Sequence, residues 1–221
     1  MVQERPLYAS NPVLVSRSLL PIEVALIALI AVVATWVIAA PGTVPGWEQD
    51  MFAALNGLPG WLFPLVWAPM QLGSVAGALF VAVVLFGTRR RIAATTLASA
   101  ALSGWLVARA VKEIVARERP LAVGLDTVIR GVDSSGFGFI SGHTTVAFAV
   151  ATVIWVFFGR RRGSVAYAVA AVVGFARIYV GAHLPLDVIG GAAAGTLVAG
   201  TVTWIEVRVW PWRQSPLTSD T

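Results

Sequence analysis

Six long apolar runs joined by short connectors leave this chain few ways to fold. A helix needs about 20 mostly apolar residues to cross the hydrocarbon of a bilayer. Within that layer each segment must satisfy its own backbone N–H and C=O groups, which favours helices. The runs cover about Leu19–Ala40, Trp61–Phe86, Ile92–Val111, Thr144–Phe158, Ser164–Val180 and Val188–Val207. The expectation is an all-α polytopic membrane protein, a single domain over residues 1–221 built as a six-transmembrane-helix bundle. Only 12% of residues are charged and 57% are hydrophobic, against about 25% charged in soluble domains. Those values also exclude a disordered chain. The first run is longer than the apolar stretch of a cleaved signal and reads as an uncleaved anchor.

The net charge of +5 sits mostly in the connectors. That distribution argues for membrane topology and against a nucleic-acid partner. Arg5 and Arg17 precede the first run, Arg89, Arg90 and Arg91 follow the second, Arg160, Arg161 and Arg162 follow the fourth, and Arg208 and Arg213 follow the sixth. The first connector carries Glu48 and Asp50 with no basic residue. Cytoplasmic termini therefore fit, in the cell membrane. Trp36, Trp47, Trp61, Trp67, Trp210 and Trp212 mark the interfaces, Glu23 reaches back to one of them, and the pairs Gly73/Gly77 and Gly191/Gly195 are helix-packing sites. The third connector breaks the charge rule. It holds Lys112, Arg117, Arg119 and Arg130 on the outer side, as an anion site would.

A small polar set shares that side. Lys112 ends the third run, and Arg119 follows before Pro120. Ser141, Gly142 and His143 open the fourth, Arg177 closes the fifth, and His183 and Asp187 straddle the start of the sixth. Phosphoryl transfer calls for such groups, because catalysis there is mainly positioning and charge stabilisation. Arg119 and Arg177 offer planar forks to phosphate oxygens, and Lys112 adds a compact charge. Ser141 and Gly142 precede a helix start, where free N–H groups favour an anion. His183 and Asp187 are one helical turn apart, so the carboxylate can orient the ring for attack. His143 is left as acid and base. Arg117, Glu113 and Glu118 read as a solvated, mutually neutralising face. Arg130, Asp126 and Asp133, in a loop, are assigned no chemistry. With no cysteine and two histidines, neither a thiolate nor a multi-histidine metal site is available. No metal or other cofactor is called for.

These residues resemble the motifs of the type 2 phosphatidic acid phosphatase (PAP2) superfamily, whose core is shared with vanadium haloperoxidases. Lys112 through Arg119-Pro120 matches the first motif fully. Ile140-Ser141-Gly142-His143 matches the second except that the usual proline is Ile140. Ala176-Arg177, His183 and Asp187 match the third except that the usual serine is Ala176. The three motifs span residues 112–187. The resemblance implies a six-helix membrane bundle in which Lys112, Arg119, Ser141, Gly142 and Arg177 bind phosphate. It makes His183 the nucleophile, His143 the acid/base and Asp187 the partner of His183. The implied partner is a lipid phosphate in the bilayer. A polyprenyl phosphate or diphosphate is preferred, with phosphatidic acid or phosphatidylglycerophosphate close behind. Two other readings stand beside it: transfer of phosphate to a sugar or lipid hydroxyl, and a non-catalytic phosphate carrier or channel. Neither oligomeric state nor the choice of lipid follows from the sequence.

Overall fold

The computed structural model describes residues 20–132 and 135–209. Arg5, Arg17, Asp133, Trp210, Trp212 and Arg213, all named above, lie outside the described residues. Among the described residues every regular element is helical. In order they are α1 Ile22–Ala39, α2 Gly46–Asn56, a 3-10 turn Gly60–Leu62, α3 Phe63–Gln71, α4 Val75–Gly87, α5 Arg91–Val115, α6 Gly142–Tyr179 and α7 Pro185–Val209.

Four of these helices are long and apolar enough to cross a membrane, or five if the bent pair Gly46–Asn56 and Gly60–Gln71 counts as one span. Helix length and composition alone thus do not establish the expected count of six spans. The second expected run is broken. Pro69 lies within α3, and the helix stops at Gln71. Ser74 then caps α4, its hydroxyl accepting from the N–H of Gly77 at 2.9 Å. Proline removes a backbone donor and a serine cap starts a new helix, so an apolar run of spanning length becomes two short helices.

The fourth and fifth expected runs share one element, α6, with a single non-helical residue, Gly159 (φ 80, ψ 175). Its two limbs lie against each other. Thr152 Oγ1 is 2.7 Å from Tyr167 Oη, and the rings of Phe148 and Trp155 stand edge-on to Tyr167 at 5.7 and 6.0 Å. Ala147, Ala151, Ala170 and Val173 form one buried cluster between the limbs.

Helix α7 packs on α1, α5 and α6, while α5 packs on α4 and α6. The central cluster joins Ala78, Ala82, Leu97, Ala100, Ala101, Val146, Ala149, Val153 and Ala199. Small residues dominate because lipid tails are as apolar as leucine, so helices associate by close approach rather than by hiding apolar surface. Gly191 shows how close: a β-carbon there would stand 2.7 Å from the Ser141 carbonyl oxygen and 3.2 Å from Thr145 Oγ1. The glycine pair read as a packing site does pack, and it sets the first turn of α7 beside the first turn of α6.

Gly191→Val should separate these two helices, because the obstacle is main chain and cannot rotate away. A loss of about 1–3 kcal/mol is expected, the usual range for overpacking, measured as a lowered midpoint of thermal unfolding in detergent.

Candidate active site

Lys112 lies in the last turn of α5. Ala116, in the left-handed conformation, ends that helix with its N–H on the Lys112 carbonyl at 2.9 Å. Between 116 and 141 the described residues pass without a helix to the start of α6. Lys112 Nζ donates to the carbonyls of Phe137 (2.6 Å) and Gly138 (3.0 Å). Arg119 Nε donates to the Gly136 carbonyl at 3.1 Å and Nη1 to the Ala182 carbonyl at 3.3 Å. Both cations thus brace the segment that delivers Ser141.

Ser141 is the N-cap of α6. Its hydroxyl oxygen accepts from the Thr144 hydroxyl at 2.9 Å, and its N–H donates to the Asp187 carbonyl at 2.9 Å. The starts of α6 and α7 are therefore bonded together. Beyond its own helix and chain neighbours, only Ala108 Cβ, at 3.9 Å, approaches the place where a Gly142 side chain would begin. The first N–H groups of a helix have no partner within the helix itself, which suits such a start to an anion.

Arg177 is 5% exposed in the last turn of α6. Nη1 donates to Met70 Sδ at 3.5 Å, and Nε has no hydrogen-bond partner among the described residues. A buried guanidinium without a carboxylate is costly unless an anion completes it. The Arg177 carbonyl accepts the N–H groups of Ala182 (3.1 Å) and His183 (3.2 Å), tying the arginine to the histidine turn.

His183 is 2% exposed. Its Nδ1 is 3.4 Å from Asp187 Oδ2, beyond good hydrogen-bond length. Burial first, then the charges of Lys112, Arg177, Arg119 and His143, hold the His183 pKa well below the ordinary imidazole value. The ring is thus neutral at pH 7, with a free lone pair. The four charges acting on His183 belong to the expected site, so both imidazoles share one electrostatic neighbourhood. The structure brings together all eight expected residues.

The expectation for Arg117 is overturned. Far from being solvated, it is 1% exposed. Nη1 donates to Asp187 Oδ1 at 3.1 Å, and the guanidinium grips Glu48 through Nη1 (3.2 Å) and Nη2 (2.5 Å). Burial works against the charge, but the bonds to Glu48 and Asp187 raise the Arg117 pKa above its usual value. Glu113 and Glu118 are exposed as expected. Glu48, read as a mere connector acid, is fully buried. A signal existed: Glu48, Phe52 and Asn56 recur every fourth residue, and these three are the buried residues of α2. Arg130, assigned no chemistry above, has a structural place. It donates to the carbonyls of Asn56 (2.8 Å), Tyr179 (2.6 Å) and Leu58 (3.0 Å) and lies over the Tyr179 ring at 4.3 Å.

The two departures from the motifs are apolar packing positions. Ile140 joins Ala39, Ala108, Phe139 and Ala194 in one cluster, and Ala176 joins Val66, Met70, Tyr179, Val180 and Ala182 in another.

The PAP2 superfamily profile matches residues 91–211, and the chain belongs to that superfamily. It is 27% identical over 164 residues to YbjG of Escherichia coli K12, to which undecaprenyl-diphosphatase activity is ascribed, covering 70% of this chain and 81% of the relative. Identity reaches 32% over 119 residues with phosphatidylglycerophosphatase B of Bacillus subtilis, covering 49% of this chain and 56% of that one. The crystal structure of Aquifex aeolicus LpxE superposes with a TM-score of 0.63 at 25% identity, covering 71% of this chain and 93% of that one. The Bacillus subtilis PAP2-type phosphatidylglycerolphosphate phosphatase superposes at 0.64 over 86% of this chain and 96% of that one; at 22% identity this likeness speaks for the fold.

Gly138 tests how tightly the site is held. A β-carbon there would stand 2.8 Å from Asp187 Oδ2, an oxygen fixed by the Leu184 N–H at 2.9 Å. Gly138→Ala should displace the carboxylate and lower kcat by about ten- to a hundredfold, as small misplacements do, with the thermal midpoint little changed.

Proposed function

We propose that the protein is an integral membrane lipid phosphatase that hydrolyses a lipid phosphate or diphosphate through a phosphohistidine. The observation that carries this reading is the buried His183 set among Lys112, Arg119 and Arg177, beside the start of α6, where Ser141 is bonded to the Asp187 carbonyl. The Nε2 lone pair of His183 attacks phosphorus, and the bond from phosphorus to the leaving oxygen breaks. That oxygen takes a proton from His143. Water then attacks the phosphohistidine while His143 takes its proton. The N–P bond breaks and inorganic phosphate leaves, with both histidines restored. Lys112, Arg119, Arg177, Ser141 and Gly142 hold the phosphoryl oxygens, and Asp187 supports the positive ring of the intermediate. Fixed cations supply the electrostatic stabilisation, so the proposed reaction needs no metal.

A polyprenyl phosphate or diphosphate is the preferred substrate, supported by the likeness to YbjG across 81% of its length. Phosphatidylglycerophosphate and phosphatidic acid come next. An apolar groove of about 380 Å³ between α1, α6 and α7, lined by Ile27, Phe148, Trp155, Tyr167 and Ile189, suits a tail. Ile189 is two residues past Asp187 on the same helix.

Purified protein with chelator present should release phosphate from at least one of these lipids. His183→Ala should abolish release and also the acid-labile, alkali-stable phosphate trapped on the wild type. No release from any lipid, with wild type and variant alike, would remove the reading.

We also propose six crossings, with α3 and α4 together forming one and the two limbs of α6 forming two. Both termini then face the cytoplasm and the site faces outward. The chain has no cysteine, so single cysteines report topology directly. In intact cells an impermeant maleimide should label Leu121→Cys, at a position 54% exposed, and spare Arg161→Cys. The reverse pattern would invert the site.

A further inference from the structure

Asp187 is not held by His183 alone. The charged groups around it are Arg117, Glu48, Lys112 and His183. Its Oδ2 accepts the Leu184 N–H at 2.9 Å, and its Oδ1 accepts Arg117 Nη1 at 3.1 Å. Arg117 turns its other donor away, with Nη2 on Glu48 Oε2 at 2.5 Å. Glu48 Oε1 accepts both Arg117 Nη1 at 3.2 Å and the N–H of Leu186 at 2.9 Å. The side chains of Glu48, Arg117 and Asp187 are all 0% exposed.

One guanidinium between two carboxylates leaves one negative charge. Glu48 takes two of the three contacts, so most of the Arg117 charge is answered there. Asp187 keeps its own charge toward His183. Without Glu48, the whole guanidinium would fall on Asp187 and cancel the field that the ring needs. Without Arg117, two buried carboxylates would face each other, and such a pair sheds its repulsion by taking up a proton. His183 gains positive charge as the N–P bond forms. The 3.4 Å gap to Oδ2 must then shorten, and Arg117 Nη1 on Oδ1 with the Leu184 N–H on Oδ2 keeps the carboxylate facing the ring.

From this arrangement, and resting on the phosphatase reading, we propose that Glu48 and Arg117 are positioning residues. They orient Asp187 and keep its charge available to the nucleophilic histidine. Helix α2 carries Glu48 into place. Phe52 packs on Ile178 and Leu184, and Asn56 donates to the carbonyls of Val128 (3.0 Å) and Tyr179 (2.9 Å).

The test uses the full-length protein in detergent, with farnesyl diphosphate and dioctanoyl phosphatidic acid as probes. Glu48→Gln keeps the shape and the acceptor for Leu186, so it should still fold, with a thermal midpoint lowered by the loss of one charge from the buried pair. Its kcat should fall about tenfold or more while KM stays within about threefold, the mark of an interaction that matters only at the transition state. Arg117→Met should be worse. The double variant Glu48→Gln/Arg117→Met should recover kcat above Arg117→Met alone, because it removes both charges and leaves Asp187 facing the ring. Wild-type kcat in Glu48→Gln would overturn the inference. So would a loss confined to KM, or a double variant no better than Arg117→Met. If the Arg117 variants fail to fold, the split between kcat and KM in Glu48→Gln decides alone. A wild-type protein that turns over neither probe removes the phosphatase reading and this one with it. Turnover in the wild type with an unchanged Glu48→Gln removes this inference only.

Discussion

One buried carboxylate ties this structure's active end together. Asp187 is wholly buried, and a lone charge there would be prohibitively costly. It is tolerated because its oxygens accept from the Leu184 N–H and the Arg117 guanidinium. Its main-chain carbonyl accepts the N–H of Ser141. Those three bonds join the turn before α7, the segment after α5 and the start of α6. The residues that resemble catalytic groups are thus positioned by the same contacts that close the helix ends. Removing one partner of such a cluster leaves an uncompensated charge, which is why these groups specify a unique arrangement more than they add stability.

That the eight candidate residues gather at one end could be read from the sequence because charge inside an apolar chain is expensive and stands out there. The helix ends were readable where Pro, Gly or Ser marks them. Two things were hidden. Hydropathy does not register breaks inside apolar runs, so the chain around Leu72–Ser74 looks like more of the same run. Charge sign alone does not register burial either. Arg117 has acidic neighbours in sequence, Glu113 and Glu118, which supplied an adequate solvated explanation. Its true partners, Glu48 and Asp187, lie 69 and 70 residues away. The every-fourth-residue spacing in α2 held the missing information, but an acid, an aromatic and an amide do not form an apolar stripe.

The cations of the site divide into two kinds, and the division explains how so much positive charge stays together. Arg117 is neutralised by carboxylates. Lys112 faces main-chain carbonyls instead. A carbonyl dipole holds a cation in position without cancelling its charge, so this lysine remains attractive to an anion. Arg177 is the extreme case, with a thioether on one nitrogen and no hydrogen-bond partner on Nε. Preorganised donors aimed at a developing charge act best where water is excluded, and the low exposure of Arg177 and His183 meets that condition.

The same reasoning ranks the two departures from the family motifs. A substitution damages phosphate chemistry in proportion to the charge or directed donor it removes. Ile140 lies among Ala39, Ala108, Phe139 and Ala194, and its Cγ2 would meet a β-carbon on Gly190 at 2.9 Å. It fills the small-residue contact where α7 passes the entry to α6. Ala176 is fully buried against Val66 and Met70 of α3, and Met70 in turn carries the sulfur that touches Arg177. An alanine here lets α3 approach closely enough to wall in that guanidinium. Both changes therefore act on how helices meet, while every ionisable group of the motifs keeps its place. A hydroxyl at position 176 would need its own hydrogen bond in that apolar contact, and the nearest acceptor on a helix is the carbonyl one turn back.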